Sequence, residues 1–486
     1  MAHFSGFTNW SPMDVATAAV VPAKEINGNS SGEVAYVPLP PHMVVPPSSV
    51  PSTMQIEAAR GWQGMEKAGM LLVDHLVTCA GAIQAGDYAA ATGSLSDARE
   101  ILTKIPTHVG IGRVFTLFTN ALSERMFPVF LNSESLPPPP CAEQHELFRG
   151  FYEAGPHLRF AHFMANMAIL EAFEGCDAVH VIDLAIMDGV QWQSLIETLA
   201  VRPGGPPFLR LTGIGPLSVG DHDKLRDMGI RLTEFARSCN VPFTFRGIAE
   251  DQIDSLRPWM LETVPGETIA VNAVLQLHRL LVDQDAAVVE SSPAPIDSVL
   301  NLFTSLNPKV FTVVEQEADH NKSSLLERFS NSLFYYSAMF DSLEAASLHA
   351  SGDNVCNPLA EAFLEGEIND IISHEGSSRV ERHEPMTCWK ERMQRAGLTQ
   401  IPHGRNKLWQ AGKHIHEFSG TGFGVQENGG FLTLTWHNQK LYTASVWHLS
   451  VTGPRVVSGG STVMDLMERE NSSGGGSGQC VFIGNV

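Results

Sequence analysis

From about Met65 the apolar positions fall at three- and four-residue steps. Leu72, Leu76, Ala80 and Ile83 share one helical face, with Leu71 and His75 beside them, and Gly86 marks a stop. A second stripe follows Ser94, through Leu95, Ala98, Ile101, Leu102 and Ile105, and ends at Pro106. A third carries Ile111, Val114, Phe115, Phe118, Leu122 and Met126. These stripes are too short for a long coiled coil, so antiparallel helices packed on one another are predicted. Pro137-Pro138-Pro139-Pro140 then reads as a stiff turn.

Beyond that turn the period changes. A helix with Phe160, Phe163, Met164, Met167 and Leu170 leads into the apolar run Val179-His180-Val181-Ile182-Asp183. Gly189 follows, and then a helical pattern of Trp192, Leu195, Ile196 and Leu199. A buried strand feeding a helix opens a parallel α/β unit. Further strands are predicted at 208–212, 243–245, 268–272 and 310–315, with helices between them, notably Leu225 to Cys239 and Ala273 to Leu281. A long helix is expected from about Ser323 to Leu348, and a short one from Trp389 to Ala396. Antiparallel strands are expected at 414–419, 431–436 and 440–447, the last two joined at His437-Asn438-Gln439. The predicted fold class is α/β: a methyltransferase-like, doubly wound, mostly parallel sheet with an N-terminal helical cap and C-terminal antiparallel strands.

Segment boundaries follow from composition. Residues 1–60, rich in Pro, Gly, Ser and Asn, are expected to form a disordered arm. Residues 61–450 form the ordered domain, with the helical cap at 61–136 and the α/β core at 141–450, and 451–486 is a flexible Gly/Ser-rich tail. The net charge of −21, from 53 acidic against 32 basic residues, argues against a broad nucleic-acid surface. A direct DNA-binding alternative needs a local basic groove, built for instance from Arg202, Arg210 and Arg246. The 7 cysteines form no CxxC pair, which suits reduced thiols better than a disulfide frame or a zinc site. The first residues do not read as a secretory signal, and no run of about 18 uninterrupted apolar residues predicts a membrane partner.

The loop after the first strand is where ligands bind in such folds, and a cofactor loop there needs glycines for close approach. After Asp183 the alternate positions are Ala185, Met187 and Gly189, and the next strand ends Thr212-Gly213-Ile214-Gly215, with no acid for ribose hydroxyls. This reads as a methyltransferase-shaped core without its cofactor. No catalytic residue, cofactor or metal ligand is assigned, and an S-adenosylmethionine-dependent small-molecule methyltransferase is the enzymatic alternative. His180 is expected to be packed and hydrogen-bonded within its strand, and Asp183 to cap the turn through backbone N–H groups. Glu315, Glu317, Asp319, His320 and Asn321 gather at a strand end, but without a second His at ligand spacing they do not make a metal site. His414 and His416 would point the same way in a strand, without a third ligand. Arg379-Val380-Glu381-Arg382 reads as a local ion-pair network. Leu277-His278-Arg279-Leu280-Leu281 is an LxxLL string: Leu277, Leu280 and Leu281 form one helical stripe, which either enters a partner's groove or packs on the sheet.

Taken together these strings resemble the GRAS family of plant transcriptional regulators, from about Leu71 to His448. Val179-His180-Val181-Ile182-Asp183 is similar to the family's VHIID motif, with Val181 for its first Ile. The flanking helices, with Leu72 and Leu76 in the first, resemble its two leucine-rich regions. Pro308, Phe329, Tyr335 and Tyr336 resemble its PFYRE element, and Arg379, Glu381 and Arg382 its RVER element. Leu434-Thr435-Trp436 resembles L-x-W, and Ser445-Val446-Trp447 stands for the usual SAW. Within the family the likeness is greatest to the DELLA growth repressors of gibberellin signalling, although residues 1–60 hold no Asp-Glu-Leu-Leu-Ala string. The resemblance implies a nuclear regulator that docks on transcription factors. It also implies a homo- or hetero-dimer through the helical cap, and contact with a hormone receptor or ubiquitin ligase if the N-terminal handle is kept.

Overall fold

The computed structural model describes residues 53–107, 110–127, 141–215, 221–250, 252–283, 294–352, 356–418 and 422–450. The polyproline turn, the tail beyond residue 450 and most of the predicted arm lie outside these residues. The helical unit comprises α1 (Thr53–Ala85), α2 (Tyr88–Leu102) and α3 (Gly110–Met126). α1 begins inside the stretch 1–60 read as an arm. Gly86, at φ 77°, ends α1 as its missing Cβ permits. α2 starts earlier than the apolar stripe predicts, because Asp87 caps it by accepting from the Ala90 backbone N–H at 3.0 Å. The stretch Lys67–Ala85 is long and apolar enough to cross a membrane by length and composition alone. One face of it, Leu72, Leu76, Cys79 and Ala80, is buried against the neighbouring helices.

The core follows as α4 (Cys141–Ala154), α5 (His157–Ala172), β1 (Ala178–Asp183), α6 (Val190–Ala200), β2 (Phe208–Gly215), α7 (Asp221–Ser238), β3 (Phe243–Ala249) and β4 (Thr268–Val274). Next come α8 (Pro295–Ser305), β5 (Val310–Gln316), α9 (Leu325–Ser351), α10 (Pro358–Ser373) and α11 (Met386–Arg395). The described chain ends with β6 (Leu398–Gln400), α12 (Arg405–Phe418), β7 (Phe423–Asn428), β8 (Phe431–Trp436) and β9 (Gln439–Leu449).

The strands form one nine-stranded sheet in the order β3-β2-β1-β4-β5-β9-β8-β7, with β6 paired to the end of β9. β1 to β5 run parallel; β9 pairs antiparallel with β5, and β8 and β7 continue the sheet, each antiparallel to its neighbour. β1, β4 and β5 are buried on both faces, which is why they read as near-continuous apolar runs, broken only by the buried and hydrogen-bonded His180, Asn272 and Thr312 in their middles. On one face Val179, Val181 and Leu211 pack with α5, α6 and α7, and Leu432, Leu434 and Tyr442 pack with α9. On the other face Ile182, Val271, Phe311 and Val313 pack with α8 and α11.

Two sequence expectations are corrected. Within the predicted strand 414–419, the described residues 414–418 are the last turn of α12, so His414 and His416 point to different sides. The segment 273–281 is not an α-helix. β4 continues to Val274, Leu275 turns back at φ 54°, and only a 3₁₀ turn, Leu277–Leu280, follows. The strands β6 and β7 and the helices α4 and α10 were not marked by a clear apolar period.

Candidate functional site

The loop after β1 lies at the topological switch point, where β2 and β4 flank β1 on opposite sides. Asp183 is buried there, and Oδ2 accepts the indole N–H of Trp192 at 2.9 Å. Its Oδ1 accepts Asn272 Nδ2 at 3.0 Å and the Ala185 backbone N–H at 3.4 Å. The backbone contact expected of Asp183 is therefore the longest of its three, and its main task is to hold two side chains. Asn272 Oδ1 in turn accepts from Thr312 Oγ1 at 2.8 Å, and Gln191 bridges Asn272 and Asn166. Burial pushes the Asp183 carboxyl up to about 6, against the opposing pull of Asn272, Trp192 and Ala185.

The residues present do not fit S-adenosylmethionine. The cavity at the loop measures about 10 Å³, between His162, Ile186, Met187, Asp188 and Val274, at the limit for a single water. Ile186 fills the approach to β2: a Cβ on Gly213 would lie 2.7 Å from Ile186 Cδ1. Met187 sits at φ 45°, where a glycine would be expected in a working cofactor loop. Val179 is core, and His180 is packed as expected, with Nε2 and Thr212 Oγ1 2.8 Å apart. Burial, with Arg210 and Arg246 nearby, lowers the His180 pKa to about 4. The arginines of the DNA-binding alternative are occupied. Arg210 pairs with Glu267 at 2.9 Å, Arg246 pairs with Glu262, and Arg202 donates to Phe173, Cys176 and Gly205 carbonyls.

A second polar cluster lies beyond the end of β5, and the segment 379–384 organises it. Arg379 Nη2 and Arg382 Nη1 both grip Asp283 Oδ1, at 2.6 and 2.5 Å. Arg379 also donates to the His320 carbonyl at 3.0 Å, and Arg382 to the Gly376 carbonyl at 2.6 Å. Burial would raise Asp283, but Arg382 and Arg379 outweigh it and hold the carboxyl low. Arg379 and Arg382 are ion-paired as expected, but the network is not local: both close on Asp283, 96 and 99 residues away in sequence. Glu381 faces the other way, and its Oε2 accepts His278 Nε2 at 2.7 Å. The Nδ1 of the same imidazole donates to Glu315 Oε2 at 2.7 Å. Burial would lower His278, yet Glu315 and Glu381 together raise it to about 10. His383 Nδ1 meets His320 Nδ1 at 3.0 Å. His278 and His383 are far apart in sequence, so no spacing rule could pair them.

The remaining candidates are structural. Leu72 and Leu76 are wholly buried in the helical unit, so α1 would meet a partner through Met70 and Leu71, which are exposed. Leu277, Leu280 and Leu281 pack into the core with α8, so the LxxLL stripe is not presented to a partner's groove. Trp436 donates to Asp341 Oδ2 at 2.7 Å and Trp447 to Ser445 Oγ at 2.9 Å. Both rings are buried, on opposite faces of the sheet. Two tryptophans that no apolar pattern singles out are far from buried: Trp259 is 75% exposed and Trp409 65%.

The sequence model of the GRAS domain family matches residues 72–448. The chain is 63% identical over 478 residues to Protein SLENDER RICE1-LIKE 2 of Oryza sativa subsp. japonica, covering 96% of this chain and 95% of that protein. It is 38% identical to DELLA protein 1 of Medicago truncatula, over 84% of this chain and 68% of that protein. Among solved structures, SCL7 in Oryza sativa superposes with a TM-score of 0.64 at 28% identity, covering 78% of this chain and 99% of SCL7.

Proposed function

Because the chain belongs to the GRAS domain family, we propose that it is a DELLA-type plant growth regulator that acts in the nucleus by docking on DNA-binding transcription factors, without turning over a substrate. The observation that carries this reading is the closed loop after β1. Its cavity of about 10 Å³ leaves no room for a nucleotide-sized cofactor, while Asp183, Asn272 and Gln191 are bound to one another. Such a core supplies a rigid scaffold, and function then belongs to its surface. The exposed Trp259 and Trp409 suit that role, since tryptophan anchors are frequent hot spots of protein interfaces. Dimerisation through α1, and contact with a hormone receptor or ubiquitin ligase, belong to the same proposal.

Two measurements test it. Calorimetric titration of the purified chain with S-adenosylmethionine should give no binding heat. Affinity capture from plant nuclei should return transcription factors, and Trp409→Ala should thin that set while leaving the fold intact. Binding of S-adenosylmethionine with turnover would overturn the reading, as would a capture empty of DNA-binding factors.

A further inference from the structure

The cluster at the end of β5 holds a donor set that the docking function does not use. We propose that His278, Glu381 and His383 form a zinc-binding site. Their ligand atoms all lie within 4.8 Å of one another. Glu381 Oε2 is 2.7 Å from His278 Nε2 and 3.4 Å from His383 Nε2. Tetrahedral zinc with bonds of about 2.0–2.1 Å holds its donors roughly 3.3 Å apart, so small side-chain shifts would close the site.

The surroundings are those of a metal site. The nitrogen of each imidazole that faces away from the site is already held: His278 Nδ1 by Glu315 Oε2 at 2.7 Å, His383 Nδ1 by His320 Nδ1 at 3.0 Å. Glu315 is itself fixed by the Leu277 backbone N–H, at 2.8 Å from Oε1. This carboxylate–histidine arrangement orients metal-binding imidazoles and makes them more basic. His383 Nε2 is buried and points at Glu381 Oε2, but at 3.4 Å the contact lacks good hydrogen-bond geometry. Coordination would satisfy it.

The cations nearby are partly committed: Arg379 and Arg382 bind Asp283, and Arg279 lies 3.7 Å from the far oxygen of Glu381, Oε1. Two imidazoles and one carboxylate suit zinc better than magnesium or calcium, which prefer all-oxygen shells. The ion would clasp the turn after β4 to the segment that follows α10.

The full chain, dialysed against a chelator and then against buffer, is titrated with cobalt chloride and, separately, with zinc chloride. The proposal expects saturable binding of a single cobalt ion with the strong visible bands of a tetrahedral site, bleached by zinc. His383→Asn and Glu381→Gln should abolish those bands while far-ultraviolet circular dichroism stays native. Glu315→Gln should weaken zinc by about 10- to 100-fold, as loss of an orienting carboxylate does. Absence of saturable cobalt and zinc binding to the wild-type chain would overturn the proposal, whether or not the variants fold. Binding that survives unchanged in folded His383→Asn would overturn it too, because the ion would then sit elsewhere.

Discussion

The indole N–H of Trp192 donates to Asp183 Oδ2 at 2.9 Å, tying the first turn of α6 to the carboxyl end of β1. In a cofactor-binding fold this corner receives the ligand. Here the acid is saturated by Trp192, Asn272 and Ala185, and the corner is part of the core.

Asp183→Ala should therefore act on stability. It leaves the Trp192 and Asn272 donors unpaired in a buried site, at a cost of about 1–3 kcal/mol. Urea unfolding followed by tryptophan fluorescence measures this. A variant as stable as the wild type would show that the network contributes little.

Trp447→Ala should cost about 3–5 kcal/mol, since it empties a site wholly buried between β9, α8 and α11. Loss of all partners together is expected, with lower solubility. A natively folded Trp447→Ala chain that has lost one partner only would contradict this assignment.

The charge clamp predicts that Arg382→Lys is not conservative. Arg382 reaches Asp283, Asn321 and the carbonyls of Gly376 and Arg379 at once, which an ammonium cannot do. Breaking a buried pair typically costs about 3–5 kcal/mol, and the partly exposed Asp283 should reduce that to roughly 2 kcal/mol. Thermal unfolding of the variant checks it, with Arg279→Lys, on an exposed side chain, as a control near zero.

Acid should destabilise the fold through its buried histidines. Burial lowers His157 to about 3, and burial with Arg159 nearby lowers His162 to about 3. Both stay neutral in the folded chain and bind protons once unfolded. Their contribution is complete above pH 6.5 and is lost as the pH falls toward 3, by roughly 2 kcal/mol per histidine at pH 5. Asp183, raised to about 6, opposes this by gaining a proton in the folded state, so its contribution grows as the pH drops from about 6 to 4. His180 and His403, each lowered to about 4 by burial, add to the loss, while Glu367, raised to about 7, and His278, raised to about 10, oppose it. The check is therefore differential: between pH 7.5 and 5 the wild type should lose roughly 2 kcal/mol relative to His162→Phe, read from denaturant midpoints.

Much of the fold was legible because parallel strands covered on both sides need mostly apolar runs, as in Val179 to Ile182 and Val310 to Val314, each with a single polar residue. The misreadings have local causes. His414-Ile415-His416 alternates like a strand, but Leu408, Ala411 and Ile415 already set the step of a helix whose inner face is buried. Leu275 reverses the chain at φ 54°, a bend that no apolar pattern encodes, so the leucines after it were placed on the wrong element. The meeting of His278 with His383 could not be read from the sequence, because only the folded chain brings them together.

β9 lies between β5 and β8, although it is the last strand of the described chain to leave the ribosome. Until it arrives, β5 is an open hydrogen-bonding edge carrying Phe311 and Val313. The parallel half of the sheet must therefore wait for its seal, exposed to aggregation throughout synthesis. A stop codon anywhere before residue 439 removes that seal along with the strand. Alleles that truncate the chain late in the coding sequence should then behave as complete losses of protein.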